Sequence, residues 1–339
     1  MQQLLEAALL PKPKALTSWR KYLSRNDLQA IDHSAISLLP LVYNNLKEDS
    51  HFLCKSAYRH TWVSNQTLWA NILPTLEKLL AEGIEKIAIM KGMGMILGIY
   101  KNFGVRSLGD IDILIDRAHI PLAHSKLISW GWTCKLPRFN PYNPHQLSRW
   151  NGANYTHPSG LNLDLHWALL LESTASVDQA ALQEIPSGIH PLSPIFLFLQ
   201  TCIHGFKKSS APLIRWVPDA VTILKCSKID FPKLFELAKS SHLTLPLSSA
   251  LKYLSNTFPD QIPPFSLKPS LIETLELKAN LQGRIYLAGY FRARLKGYSL
   301  LHYLQHTANL SSPWHIPLYA PYWILKRIYR FCLNVFFKA

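Results

Sequence analysis

The chain has 339 residues, 48% hydrophobic and 17% charged, which excludes a disordered chain and gives length for two domains or one large one. Its formal net charge of +15 concentrates polyanions such as nucleotides, RNA or acidic lipid heads without choosing among them. Five scattered cysteines (Cys54, Cys134, Cys202, Cys226, Cys332) with no Cys-x-x-Cys pair argue against a disulfide framework or zinc knuckle and for reduced thiols in a cytoplasmic setting.

Residues 1–20 carry Glu6, Lys12, Lys14, Arg20 and two prolines and do not read as a signal peptide. No window of about 20 residues is apolar enough to span a bilayer. Residues 1–75 are expected to form an N-terminal helical region, with cap signals at Ser24-Arg25-Asn26-Asp27 and Asp32-His33-Ser34. Trp62, Leu68, Trp69, Ile72, Leu76, Leu79 and Leu80 recur near helical spacing and predict one helix over 61–82, with Pro74 as a kink and Gly83 as its cap.

Residues 76–175 alternate strands and helices. Lys86 to Met90 is a short strand, ending in the turn Lys91-Gly92-Met93-Gly94 and a helix over 92–100. The next strand follows Arg106-Ser107-Leu108-Gly109-Asp110 and covers Ile111 to Ile115. Asp110 and Asp112 stand at i and i+2, on one face and about 7 Å apart along a strand, while Ile111, Ile113 and Ile115 take the other. Two carboxylates on so rigid an element can bridge two magnesium ions about 3.5–4 Å apart. Asp116 lies about 13 Å beyond Asp112 by strand rise and reads as the cap of a helix over 118–129. A strand over 132–136 and a loop or lid over 137–150 follow. Residues 152–157 and 162–167 read as a hairpin about Pro158-Ser159-Gly160. Its second arm, Leu161 to Trp167, alternates and supplies Asp164 and His166 on one face.

From 176 to 310 the pattern is helical, with candidates at 177–184, 193–206, 213–226, 231–241, 244–257 and 270–296 separated by prolines. Residues 311–339 form a basic aromatic tail. Its stretch 322–339 suits either a helix packed on its own protein or peripheral contact with an anionic membrane.

The ordered set Lys91-Gly92, Arg106, Asp110-x-Asp112 and Asp164-x-His166-Trp167 resembles the bacterial "uncharacterised nucleotidyltransferase" branch of the DNA polymerase β-like superfamily, over about residues 75–225. The resemblance implies an α+β fold: a small mixed-sheet palm flanked by helices, with a C-terminal helical region. It implies a Mg²⁺-dependent nucleotidyltransferase that moves a nucleoside monophosphate from a nucleoside triphosphate to an acceptor hydroxyl and releases pyrophosphate. Asp110, Asp112 and Asp164 would ligate two Mg²⁺ ions, with Asp164 on the metal beside the nucleophile or taking its proton. His166 would orient a carboxylate, meet the acceptor, or serve structure alone. Lys91 and Arg106 would neutralise charge on the phosphates, and Gly92 and Gly94 would let backbone approach them. His204, Lys208 and Arg215, with Trp216 and Asp219, resemble a second signature that closes the nucleotide site from the helical side; the alternative is a buried tie of Asp219 to His204 or Arg215. Many superfamily members carry Gly-Ser where this chain has Gly92-Met93, so a serine contact to the triphosphate is missing or replaced by backbone N–H groups. The acceptor is open among RNA, protein and small molecules. Two other functions fit the composition: a catalytically weak nucleotide or RNA-binding protein on the same fold, and a membrane-surface adaptor using the tail.

Overall fold

Short apolar strands from Lys86 onward need partners on both edges, and they find them in one mixed sheet. The computed structural model describes residues 1–28, 30–171, 173–206 and 213–281. The strands are β1 (Lys86–Ile89), β2 (Ile111–Leu114), β3 (Thr133–Cys134), β4 (Gly152–Thr156), β5 (Asn162–His166) and β6 (Gly188–Pro191). Their spatial order is β3-β4-β5-β2-β1-β6. β2 runs parallel to β5 and antiparallel to β1, while β4 and β5 form the expected hairpin. The architecture is α+β, as the sequence suggests.

Alternation assigns the two faces of the sheet. Ile87, Ile89, Ile111, Ile113, Leu163 and Leu165 join one core cluster. Ala88, Met90 and Leu114 join a second. All four residues of β2 are buried, so this strand is covered on both sides.

The N-terminal region supplies helices α1 (Gln2–Leu9), α2 (Lys12–Leu23), α3 (His33–Ile36) and α4 (Leu39–Leu46). Asp32 caps α3 by accepting from the Ala35 N–H at 2.8 Å. Helix α5 spans Phe52–Ala81 and places Ile72, Leu76 and Leu79 in the first sheet cluster. It begins nine residues before the expected start at 61, and over residues 52–60 it buries Cys54 alone, so no run of large apolar side chains marks those turns. Pro74 lies inside it at an exposed position. Gly83 follows with φ +102°, a left-handed conformation open to glycine.

Helix α6 (Lys91–Met95) passes into a wider π-turn at Ile96–Tyr100, so the expected helix over 92–100 is present in two parts. Asp116 accepts from the Ala118 N–H at 2.7 Å and caps a 3-10 turn leading into α7 (Ile120–Ser129). The loop expected over 137–150 contains a short helix, α8 (Pro144–Arg149). Strand β6 has no counterpart in the sequence reading. It is an edge strand parallel to β1, a place where Pro191 is tolerated.

Helices α9 (Ala175–Gln183), α10 (Pro194–Phe206), α11 (Trp216–Cys226), α12 (Phe231–Ser240) and α13 (Thr244–Thr257) follow. Residues Met1–Lys268 form one compact unit, and Pro269–Ala339 form a second. The described part of the second unit is α14 (Leu271–Leu281). It starts with a reciprocal cap: Glu273 Oε2 accepts from the Ser270 N–H at 2.7 Å, and Ser270 Oγ accepts from the Glu273 N–H at 3.2 Å. The tail over 311–339, including the stretch 322–339, lies outside the described residues. Among those described, no helix is long and apolar enough to cross a membrane.

Candidate active site

The register of β2 and β5 builds the site. Asp112 pairs with Asp164 and Leu114 with His166 across the two parallel strands. Their neighbours Ile111, Ile113, Leu163 and Leu165 point into the first cluster, so both aspartates and His166 share the opposite face. Asp112 is only 5% exposed. Its Oδ1 lies 3.0 Å from His166 Nε2 and also pairs with the Lys91 ammonium. Lys91 Nζ is 3.5 Å from His166 Nε2, and Asn151 Nδ2 is 3.3 Å from His166 Nδ1. Asn154 on β4 donates to Asp164 Oδ1.

Lys91 reaches this cluster from an unusual backbone. Its φ is +42°, in the region that costs a non-glycine residue steric strain. The buried Gln200 of α10 holds it there: Oε1 accepts from the Lys91 N–H at 3.2 Å, while Nε2 donates to Leu169 O at 3.1 Å. The glycines that follow have packing reasons. A methyl group at Gly94 would meet Ile89 O at 2.5 Å, and one at Gly92 would collide with Arg106 Nη1 and Leu108.

The loop before β2 is fixed by Asn65. This buried side chain donates to Phe103 O and Arg106 O at 2.7 Å each, and accepts from the Leu108 N–H at 3.2 Å. Arg106 leaves that loop to meet α11, its Nε 2.9 Å from Asp219 Oδ2 and 3.2 Å from Oδ1. Tyr100 OH donates to Asp219 Oδ1 at 2.8 Å. Arg215 Nη2 donates to Ser107 Oγ at 3.2 Å.

Charge is arranged unevenly over these groups. Burial would raise the Asp112 carboxyl, but the Lys91 ammonium and His166 outweigh it and hold it well below the usual carboxylate range. Burial pushes Asp164 up to about 6, and the negative charges of Asp112 and Asp110 add to the shift. Asp110, though exposed at its outer side, is also raised, by partial desolvation first and then by the charge of Asp112. Burial opposes charge on Arg106, yet Asp219 more than compensates and raises it.

The structure therefore gathers Lys91, Arg106, Asp110, Asp112, Asp164 and His166 into one electrostatic neighbourhood. Asp110 is exposed and precedes β2 rather than lying within it. Asp219, for which a role at the nucleotide site and a tie to His204 or Arg215 were both open, binds Arg106 and Tyr100 and so joins the loop before β2 to α11. His204 is exposed in the last turn of α10. Lys208 lies outside the described residues. Sequence reading assigned no role to Asn65, Gln200 or Asn151. Gln200 had a visible signal: it is a buried polar residue directly after the apolar run Ile195–Leu199 of α10.

A divalent cation fits this donor set. Asp112, Asp164 and His166 offer ligand atoms that lie within 4.8 Å of one another. Asp110 and Asp164 also carry charge that their surroundings disfavour, which a cation relieves. Comparison with known families finds a match over residues 29–259 to a family described as "uncharacterised nucleotidyltransferase". No curated protein matches the chain.

Proposed function

The chain belongs to this uncharacterised nucleotidyltransferase family and is a transferase; from that membership we propose that it moves a nucleoside monophosphate from a nucleoside triphosphate to an acceptor hydroxyl, in a divalent-metal-dependent reaction that releases pyrophosphate. The observation that carries the proposal is the pairing of Asp112 with Asp164 on adjacent strands, with Lys91 and His166 on the same carboxylate.

Asp110, Asp112 and Asp164 are the residues we assign to hold the ions, with Mg²⁺ the ion implied by the resemblance. Bound there, divalent metal supplies charge neutralisation for the phosphates and lowers the pKa of an attacking hydroxyl. Asp164 stands beside Asp112 across the two strands, placed to hold the ion nearest that hydroxyl or to take its proton. Lys91 and Arg106 offset charge growing on the phosphate oxygens, with Arg215 beside them. Arg106 reaches that position already held by Asp219, so little is lost in ordering it when nucleotide arrives. Gly92 keeps the space that Arg106 occupies. Asn151 fixes the ring of His166, which in turn fixes Asp112.

The test is a screen of purified protein with each nucleoside triphosphate, Mg²⁺ and cell extract, reading pyrophosphate release and labelled product. Transfer that disappears in Asp112→Asn supports the proposal. Turnover that is unchanged in that variant counts against it.

A further inference from the structure

We propose that the acceptor is the 3′ end of a single-stranded RNA, laid across the open half of the sheet from Asp164 over Asn154 to Lys135. The inference rests on the transfer reading given above and names its acceptor class.

The sheet face that carries Asp112 and Asp164 is packed over only part of its width. On β1 and β2, Ala88 and Leu114 are buried in the second core cluster. From β5 outward the same face is polar. Asn154 on β4 stands opposite Asp164, and Lys135, just past β3, donates its N–H to Asn154 O at 2.8 Å. A second row beside this one runs Asn162, Thr156, Thr133. Between the rows Leu163, Tyr155 and Cys134 turn the other way, into or against the first cluster. Asn154, Thr133 and Lys135 are exposed, and Asn162 and Thr156 are half-buried.

Two chemical features of this surface select the acceptor. The first is the place of the cation. Lys135 lies two strand spacings, about 10 Å, from Asp164. It therefore suits an anionic group borne about that far from a hydroxyl reacting beside Asp164. The wider segment has the same character: residues 117–163 contain no Asp or Glu and five Lys or Arg, of which Lys126 pairs with Glu82. Exposed Tyr142 and Trp150 fall in that span, and cations interleaved with exposed aromatic rings suit a single nucleic-acid strand. The second feature is the neutral ground between. Its amide and hydroxyl side chains are each both donor and acceptor. The ribose 2′-hydroxyl is both as well, and it is what separates RNA from DNA. In the transfer, the 3′-hydroxyl oxygen bonds to the α-phosphorus and its proton passes to Asp164 or water. The bond from the α-phosphorus to the bridging oxygen breaks, and pyrophosphate leaves.

The experiment uses the full chain, with cell extract, total RNA purified from it, and a fluorescent single-stranded RNA oligonucleotide as probes. Extract and RNA are supplied with α-labelled nucleoside triphosphates and Mg²⁺, and the labelled product is treated with ribonuclease or protease. Fluorescence anisotropy measures oligonucleotide binding over a range of salt, beside DNA of the same sequence. The expected product is labelled RNA, destroyed by ribonuclease and not formed when the RNA is first 3′-phosphorylated. The oligonucleotide should bind more tightly than its DNA counterpart. Lys135→Glu should weaken RNA binding about ten-fold and flatten its log–log salt dependence by about 0.7 or more, the share of one phosphate contact. Thr133→Glu, at the end of the second row, should act in the same direction. Label found only in ribonuclease-resistant product overturns the inference and leaves the transfer reading standing. RNA affinity unchanged in both variants, or DNA bound as tightly as RNA, also overturns it. RNA binding that both variants weaken, with no label in any fraction, removes the transfer reading and keeps this face as an RNA site. The labelling of the parent protein decides the acceptor even if a variant fails to fold.

Discussion

Asp112 and Asp164 face each other across neighbouring parallel strands, and the fold treats their charges in opposite ways. Asp112 is compensated by Lys91 and His166 and stays ionised, while Asp164 is left to bear burial and the repulsion of its neighbours. Two carboxylates whose environments push their pKa values apart are the usual mark of divided roles at a catalytic site.

That asymmetry predicts a pH-dependent stability effect of Asp164→Asn in metal-free buffer. The carboxyl titrates near 3.8 ordinarily and at about 6 in the fold. As pH rises between those values the unfolded chain gives up its proton first, so ionisation favours unfolding. The penalty is absent below about pH 4, complete above about pH 6, and missing in asparagine. Thermal melts at pH 4, 5, 6 and 7 should show the variant gaining on the parent as pH rises. A gain that is flat with pH, or that shrinks, contradicts the assignment.

Asp219→Ala should be costly for the fold. Asp219 is buried and Arg106 is mostly so, and removing one partner of such a pair leaves a charge uncompensated. A loss of about 3 kcal/mol is expected. Tyr100→Phe removes a neutral donor from the same carboxylate and should cost about 1 kcal/mol. Urea unfolding of the two variants and their double mutant would measure both, and the double should cost less than the sum because the partners are shared.

Gly92→Ala tests the placement of Arg106. The added methyl collides with Arg106 Nη1 and the end of Leu108, and Arg106 can give way only by loosening its pair with Asp219. We expect a lower melting temperature, because a displaced Arg106 leaves Asp219 unpaired, and nucleotide affinity reduced about ten-fold or more, since a charge-assisted contact is typically worth about 1.5–3 kcal/mol. Calorimetric titration with a non-hydrolysable nucleotide checks this; parental affinity would mean that Arg106 does not meet the phosphates.

Much of the site was legible because it lies on local patterns. Strict alternation in Ile111-Asp112-Ile113 and in Leu163-Asp164-Leu165 fixed which side chains share a face, and Pro158-Ser159-Gly160 fixed the hairpin that carries Asp164. What was not legible depends on contacts distant in sequence. The parallel pairing of β2 with β5 is one, and β6 is another, since it gains its place by pairing with β1. The pairing of Asp219 with Arg106 is a third, since it joins residues 113 positions apart. The role of Gln200 in holding Lys91 likewise joins α10 to the start of α6.

The most direct test follows the position of the label. Purified protein is incubated with nucleoside triphosphates labelled at either the α- or the γ-phosphate, with Mg²⁺ or Mn²⁺ and cell extract, beside Asp112→Asn as control. Our account predicts that α-label enters a product, γ-label leaves in pyrophosphate, and both events fall by about 10²–10³ or more in the variant, as loss of a charge-stabilising group typically gives. Transfer of the γ-phosphate, or α-label incorporation equal in parent and variant, would contradict it.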